Sequence, residues 1–204
     1  MSESSLRDLK RIESKLRDVY LITSKILSKT KDLTEVKSGE ARERLAEEIG
    51  EDVTLLDMLK REITEALLVY AIRYQPLGRD FRRVHAFLDA LYDVYRISRY
   101  CREITLVDRY VRRLSDESLG DVRGLLELAS RAYENAYNAL FEDCKSCFEQ
   151  VQEIDNVVDN LYLSYLKEIG GKETLPNPAV ARILILRHVE RIVDHAVRIA
   201  SYHG

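Results

Sequence analysis

The amino-acid sequence predicts an all-α protein made of two tandem three-helix bundles. Helix breakers are scarce, because the 204 residues include only 8 glycines and 3 prolines. Apolar residues recur along nearly the whole chain with the three-to-four-residue spacing of an amphipathic helix. A segment of the first half also reappears in the second half. Together these observations favour six long helices arranged as a repeat.

Three helices are predicted in the first half of the chain. The first spans about residues 6–28, with Ser5 as its N-cap. The second spans about 38–74 and ends there because a proline follows two residues later, which disfavours the helical conformation at the residue before it. After a tight turn, Asp80 is expected to cap a third helix that reaches about residue 114.

Three further helices are predicted after a polar link at residues 115–118. The fourth spans about residues 119–141, and the fifth runs from a cap at Asp143 to residue 169, where two glycines end it. Pro178 opens the sixth helix, with Asn177 as its cap. Long helices with short connections are typical of antiparallel bundles.

The internal repeat divides the chain into two similar units. Residues 95–104 align with 190–199, where an Arg-Ile pair and a later isoleucine coincide. Asp57 and Asp159 hold equivalent places in the second helix of each unit. We therefore predict two domains, residues 1–115 and 116–204.

Composition narrows the class of protein. The net charge of -3 argues against non-specific nucleic-acid binding as the main role. No apolar run approaches the ~20 residues that cross a bilayer. The first five residues lack the apolar region of a signal peptide, so we expect a cytoplasmic protein.

Two acid pairs carry the strongest chemical signal. Asp155 and Asp159 lie four residues apart on the fifth helix, and Glu190 and Asp194 do so on the sixth. Four-residue spacing places both carboxylates of a pair on one helix face, next to core positions. If the two helices are neighbours, the four side chains can hold a hard metal ion. All-oxygen ligation favours Mg²⁺, Mn²⁺, Ca²⁺ or iron over zinc.

A second interpretation of these acids remains open. Arg187 and Arg191 each lie three residues before an acid of the sixth helix, so those acids could form ordinary surface ion pairs. Each residue step turns an α-helix by about 100°. The neighbouring histidines, His188 and His195, therefore point away from the direction of the acids and are expected to flank the site.

The sequence carries no signature of an enzyme. None of its four histidines has an acid three residues before it, as di-iron bundles require. Phosphate-binding loops, dinucleotide fingerprints and nucleophile elbows are also missing. We therefore expect a non-enzyme, with a carboxylate-metal hydrolase as the remaining catalytic alternative.

The three cysteines are too few for a disulfide scaffold. Cys144 and Cys147 form a C-x-x-C on a helical pattern, and a redox pair or a zinc site is one interpretation. Since structural zinc needs four ligands, we favour cysteines that serve as small buried apolar residues.

Charge is segregated between the two halves. Residues 70–113 contain ten arginines and no lysine against five acids, whereas residues 142–159 contain six acids and one base. Arg96 and Arg99 could form an anion or partner patch, or the arginines could pair with acids of the first two helices. Self-association through the complementary faces is a third interpretation, and we expect a homo-oligomer, specifically a homodimer.

Three stretches resemble the PhoU family of phosphate-transport regulators. Residues 73–82 resemble its R-x-Q-P-x-x-x-D-[LF]-R link, residues 155–159 its acidic helix, and residues 190–200 its E-R-I-G-D-H-A-x-x-I-A closing helix. In the link, we expect structural roles or partner contacts for five residues. These are Arg73, Gln75, Pro76, Asp80 and Arg82.

The resemblance implies two tandem three-helix bundles and a cytoplasmic accessory role. Members of this family signal phosphate status between a phosphate-specific ABC transporter and a sensor kinase, and they repress phosphate uptake. Some bind metal ions, including iron, through their acidic motifs. A transporter subunit or a sensor kinase is therefore the expected partner. The alternative is a metal-independent helical adaptor for another transporter or regulator.

The first half departs from the family pattern. Tyr95 and Arg99 stand where Glu190 and Asp194 stand in the second half, and Val53 stands in the place of Asp155. We therefore expect one metal site, in the second bundle only.

Overall fold

The computed structural model describes residues 3–202, which form six α-helices without a β-strand. Met1, Ser2, His203 and Gly204 lie outside this range. The helices are α1 (Glu3–Asp32), α2 (Gly39–Tyr74), α3 (Arg79–Tyr110), α4 (Val122–Phe141), α5 (Cys147–Ile169) and α6 (Asn177–Ser201), with a short 3₁₀ turn at Glu117–Leu119. The predicted all-α fold is confirmed. Between residues 3 and 202, no helix is both long and apolar enough to cross a membrane.

The helices pack as two three-helix bundles in tandem. Helices α1, α2 and α3 contact one another, as do α4, α5 and α6. The bundles meet where α3 packs on α6 and α1 packs on α4, so one apolar core runs through both. The equivalent helices α3 and α6 therefore lie face to face at the centre. The predicted domain division at residues 115 and 116 falls in the link between α3 and the 3₁₀ turn and stays a prediction.

Apolar stripes drive this packing. On α1 the apolar stripe is buried at five positions, whereas Leu6 at its start, also predicted to belong to it, is 38% exposed. The five are Leu9, Ile12, Leu16, Val19 and Ile26. Burying each such side chain contributes about 1.5–3 kcal/mol. The opposite face of α1 is mostly polar, although Leu21 is 57% exposed there, so the helix turns its apolar stripe to the core.

Two helix ends agree with the sequence. Ser38 precedes α2, and its side chain accepts a hydrogen bond from the Ala41 N–H. At the other end Gln75 takes a left-handed conformation with φ 44°, and its N–H donates to the Ala71 carbonyl. Pro76 then prevents the helix from continuing.

Four predicted caps are wrong. Ser5 lies inside α1, because the helix begins a turn earlier, and its hydroxyl bonds to the Tyr70 hydroxyl at 2.8 Å. Gly78, at φ 59°, precedes α3, which places Asp80 in the first turn, where its charge still favours the helix dipole. Asp143 lies in the turn before α5 at φ 52°, and Asn177 is already helical.

The bonding of two of the three cysteines also differs from what the sequence led us to expect. Cys144 and Cys147 form a disulfide, because the turn between α4 and α5 brings their Cα atoms to 5.5 Å. They are therefore not free apolar residues. Cys101 is free and buried in the core, and burial raises the pKa of its thiol to about 12.

Candidate metal centre and its counterpart in the first bundle

The packing of α5 on α6 brings the two acid pairs together. Burial, then the charges of Asp159 and Asp194, raise the pKa of Asp155 to about 6. Burial and the same two acids also raise the pKa of Glu190, although Arg191 and Arg187 oppose this shift. Because Asp194 of α6 affects Asp155 of α5, and Asp159 of α5 affects Glu190 of α6, the four acids form one electrostatic cluster. We call Asp155, Asp159, Glu190 and Asp194 the acid cluster.

Core residues fix the position of this cluster. Ile154 and Val158 on α5 and Val189 and Val193 on α6 are buried, and each acid follows one of them. Asp155, Asp159 and Asp194 are consequently half-buried at the border of the helix interface. Glu190 is only 7% exposed, which is deeper than the rim position that its spacing predicted.

Arginines from α6 engage two of the four acids. Arg187 Nη1 donates to both carboxylate oxygens of Glu190 at 2.9 Å. Arg191 Nη2 donates to Glu190 Oε1 at 3.2 Å, and its Nη1 lies 2.8 Å from Asp194 Oδ2. The ion pairs that the sequence allowed are therefore present, but the one at Glu190 is not a surface pair.

The acids of α5 have no such compensation. Within residues 3–202, neither Asp155 nor Asp159 has a cationic partner. Burial is the largest cause that raises the pKa of Asp155, and the charges of Asp159 and Asp194 add to it. Carboxylate oxygens are also the donors that hard cations prefer. The donor chemistry thus fits a metal such as Mg²⁺, Mn²⁺, Ca²⁺ or iron.

The side-chain arrangement does not yet present a finished coordination sphere. In the described part of the chain, no three His, Cys, Asp or Glu side chains converge in a metal-binding arrangement. Glu190 and Asp194 are turned towards their arginines. A metal held by all four acids requires these two to release Arg187 and Arg191.

The equivalent place in the first bundle is filled by cations of the protein. Asp57 pairs with Lys60 at 3.1 Å and with Arg61 at 2.7 Å, and the hydrogen bond from Lys60 lowers the pKa of Asp57. Lys60 Nζ also lies 3.9 Å from the centre of the Tyr95 ring. Val53 is buried where Asp155 has its counterpart. The negative charge that Asp155 and Asp159 leave uncompensated in the second bundle is therefore matched in the first by an acid, Asp57, that has cationic partners.

The predicted patch at Arg96 and Arg99 is largely engaged within α3. Arg96 Nη2 donates to the Tyr100 hydroxyl at 2.6 Å, and Arg99 lies 3.8 Å from Glu103. A hydrogen bond to Tyr95 is the main cause that raises the pKa of Arg99. An anion site at these two residues stays a prediction. Pairing with the first two helices occurs elsewhere on α3, where Arg83 contacts Glu13 and Arg109 contacts Glu43.

The sequence missed a buried polar contact between the bundles. Asp93 on α3 is fully buried, and its carboxylate accepts from His195 Nδ1 at 2.6 Å and from the Tyr202 hydroxyl at 3.0 Å. Arg198 Nε lies 3.4 Å away. His195 is thus a link between α3 and α6, and not merely a flank of the acid cluster. An acid at a core position of α3, between Ala90 and Ile97, was the available signal.

The motif at residues 73–82 shapes the turn between α2 and α3. Arg73 lies 3.8 Å from Asp8 of α1, and Gln75 supplies the left-handed end of α2. Arg82 donates its backbone N–H to Gly78, while its side chain lines a surface cleft together with Asp80. Structural roles are visible for Arg73, for the backbone of Gln75 and for Pro76, and a partner contact by residues of this motif stays a prediction.

The fold and the acid cluster define a class of helical protein with two repeated bundles, of which the second carries four acids at the interface of its last two helices. The family model for the PhoU domain matches residues 16–106 and again 122–202. The chain therefore belongs to the PhoU family, which confirms the resemblance seen in its sequence.

Individual relatives extend this finding. A protein of Synechocystis sp., named phosphate-specific transport system accessory protein PhoU homolog, is 24% identical over 153 residues, covering 72% of this chain and 67% of that protein. A protein of the same name from Archaeoglobus fulgidus is 23% identical over 196 residues, covering 95% and 93%.

Two solved structures share the fold. The crystal structure of PhoU from Pseudomonas aeruginosa matches with a TM-score of 0.79 at 20% identity, over 96% of this chain and 95% of that chain. The phosphate transport system regulatory protein PhoU from Streptococcus pneumoniae matches with a TM-score of 0.75 at 16% identity, over 97% and 94%. Both support the arrangement of two tandem bundles.

Proposed function

We propose that this protein regulates phosphate uptake and phosphate signalling by binding other proteins. The observation that carries the proposal is the pair of PhoU domains, which the family model places in tandem over most of the chain. Relatives that align with nearly all of it are named accessory proteins of the phosphate-specific transport system. An accessory role needs a surface rather than a catalytic pocket.

The expected partners are a subunit of a phosphate ABC transporter, a sensor kinase, or both. We also propose a cytoplasmic protein that touches membrane complexes only at their periphery. A non-catalytic role agrees with accessory relatives and with a sequence that offers no nucleophile. Homo-oligomerisation, specifically a homodimer, is part of the same proposal.

The acid cluster would give this regulator a metal-dependent element. A hard cation bound there would neutralise charge that Asp155 and Asp159 leave uncompensated, and it would tie α5 to α6. Asp155, Asp159, Glu190 and Asp194 would supply the oxygens. Arg187 and Arg191 would turn outwards and become available to a partner.

The observed arginine pairs favour one competing function. A metal-independent adaptor would use Arg187 and Arg191 as permanent counter-ions of Glu190 and Asp194, as the structure shows them. Under that alternative, metal has no effect on partner binding. The two functions therefore differ in whether a chelator changes the affinity for the transporter.

Deleting the gene in its host should leave phosphate uptake high at high external phosphate, because the repressing partner is lost. The measurement is uptake of labelled phosphate in the deletion strain, with the wild-type gene restored as the positive control. Asp159→Asn should fail to restore repression, whereas Asp57→Asn, the matched change in the first bundle, should restore it. Normal repression in the deletion strain would contradict the proposed function.

A further inference from the structure

A wide cleft opens where α3 begins and α4 ends. Its volume is about 1070 Å³, and it lies between the first two turns of α3 and the turn that follows Phe141. Cationic and aromatic side chains share its lining. Among them are Arg79, Arg82, Lys145, Phe81, Phe87 and Phe141.

Three of the cations that line this cleft have no acidic partner among the described residues. In the described residues 3–202, Arg79, Arg82 and Lys145 form no ion pair, whereas Arg83, Arg99 and Arg109 of α3 do. Only two acids, Asp80 and Asp143, line the same cleft. The local charge is therefore positive in a chain whose net charge is -3.

The start of α3 adds to this positive charge. The residue before the helix is Gly78, so no side chain caps the first N–H groups of a 32-residue helix. These uncapped N–H groups form the positive end of the helix dipole, at the same end of α3 as Arg79 and Arg82, and Asp80 is the acid in that turn. This positive end reinforces the field of the three unpaired cations.

The aromatic side chains give the cleft an apolar floor. Phe87 is buried and packs against Phe141 with ring centres 6.2 Å apart, while Phe81 is 54% exposed between Arg79 and Arg82. An exposed phenylalanine beside a buried aromatic pair can anchor an apolar side chain, and cations around it can bind acids.

We propose that this cleft docks an acidic peptide segment of a partner protein, with one apolar side chain seated on Phe81 and acids against Arg79, Arg82 and Lys145. Charge complementarity and the aromatic floor together select this occupant. The apolar anchor supplies affinity, whereas the carboxylate–guanidinium pairs supply orientation and fast association. The inference rests on the proposed function only in that the protein acts by binding other proteins.

The test selects ligands from a displayed library of random short peptides on the purified full-length protein. Enriched peptides should carry acids on both sides of an aromatic residue or a leucine. Fluorescence anisotropy should then show that Arg82→Glu and Phe81→Ala each weaken their binding by roughly tenfold or more. Arg102→Glu is the matched control, because Arg102 is exposed on the same helix and unpaired among the described residues, and it should leave binding unchanged.

Several outcomes would overturn the docking surface. They are no enrichment, enriched peptides without acids, or equal weakening by Arg102→Glu. Binding of phosphatidylglycerol vesicles that Arg82→Glu abolishes, without selected peptides, would assign the cleft to a membrane surface. Self-association lost in Arg82→Glu, seen by light scattering, would assign it to a second copy of the chain. The peptide selection uses purified protein, whereas the proposed function is tested in cells. If the selection fails while the gene still represses phosphate uptake, the docking surface is wrong and the proposed function is not affected.

Discussion

Replacing Asp93 with alanine should lower the free energy of unfolding by about 3 kcal/mol. Asp93 is fully buried and accepts hydrogen bonds from His195 and Tyr202 of the other bundle. The substitution leaves a buried imidazole N–H and a phenol hydroxyl without their acceptor. It also removes the main polar contact that aligns α3 with α6.

Urea unfolding followed by circular dichroism measures this effect. Asp89→Ala is the matched control, because Asp89 lies one turn earlier on α3 and its side chain is 41% exposed. A surface change of this kind alters stability by less than about 0.5 kcal/mol. Equal stability of the Asp93 and Asp89 variants would show that the buried contact does not hold the two bundles together.

Replacing Asp155 with asparagine should stabilise the metal-free protein at neutral pH by about 1 kcal/mol. Its pKa is raised to about 6, first by burial and then by Asp159 and Asp194. A carboxyl group whose pKa is raised on folding favours the folded state when protonated. That contribution is present at acid pH and is lost as the pH rises through about 6. Because the side chain is half-exposed, solvent screening reduces the effect below the full conversion of the shift.

Thermal unfolding in the presence of a chelator, between pH 5 and pH 8, tests the direction of this change in stability. The stability of the wild type should fall relative to Asp155→Asn as the pH rises through about 6. Asp57→Asn should show no such gain, because Lys60 and Arg61 already compensate that carboxylate. A variant at position 155 that is less stable than the wild type at pH 7, or a difference that does not change with pH, would contradict this electrostatic account. An acid that lowers the free energy of unfolding is more readily explained by a role in binding a ligand than by a role in stabilising the fold.

Helical periodicity was sufficient to predict the architecture, and it was insufficient for the details of the turns. The apolar stripe of α1 and Pro76 after α2 indicate which residues are helical, because both act through the local sequence. The caps at Asp80 and Asp143 were wrong because the preceding turn decides where a helix starts. Residues such as Gly78, with its positive φ, shift that start by a turn or less.

The candidate site was predictable only as far as single helices determine it. Spacing placed the four acids beside core positions of α5 and α6, and it equally predicted the arginines that now engage Glu190 and Asp194. Whether the acids meet one another or only their arginines depends on how α5 packs on α6, which the spacing within one helix does not determine. The contact between Asp93 and His195 joins residues 102 positions apart, so no local pattern could show it. The link between Cys144 and Cys147 depends on a turn that helical periodicity did not predict.

The most direct test of the proposed regulator counts the metal ions that it binds. Protein purified without chelator would be analysed for its metal content and then titrated calorimetrically with Mn²⁺ and Fe²⁺. We predict a site in the second bundle only, which Asp159→Asn abolishes and Asp57→Asn leaves intact. Absence of binding, binding that survives Asp159→Asn, or a site that is lost in Asp57→Asn would contradict an asymmetric metal centre at Asp155, Asp159, Glu190 and Asp194.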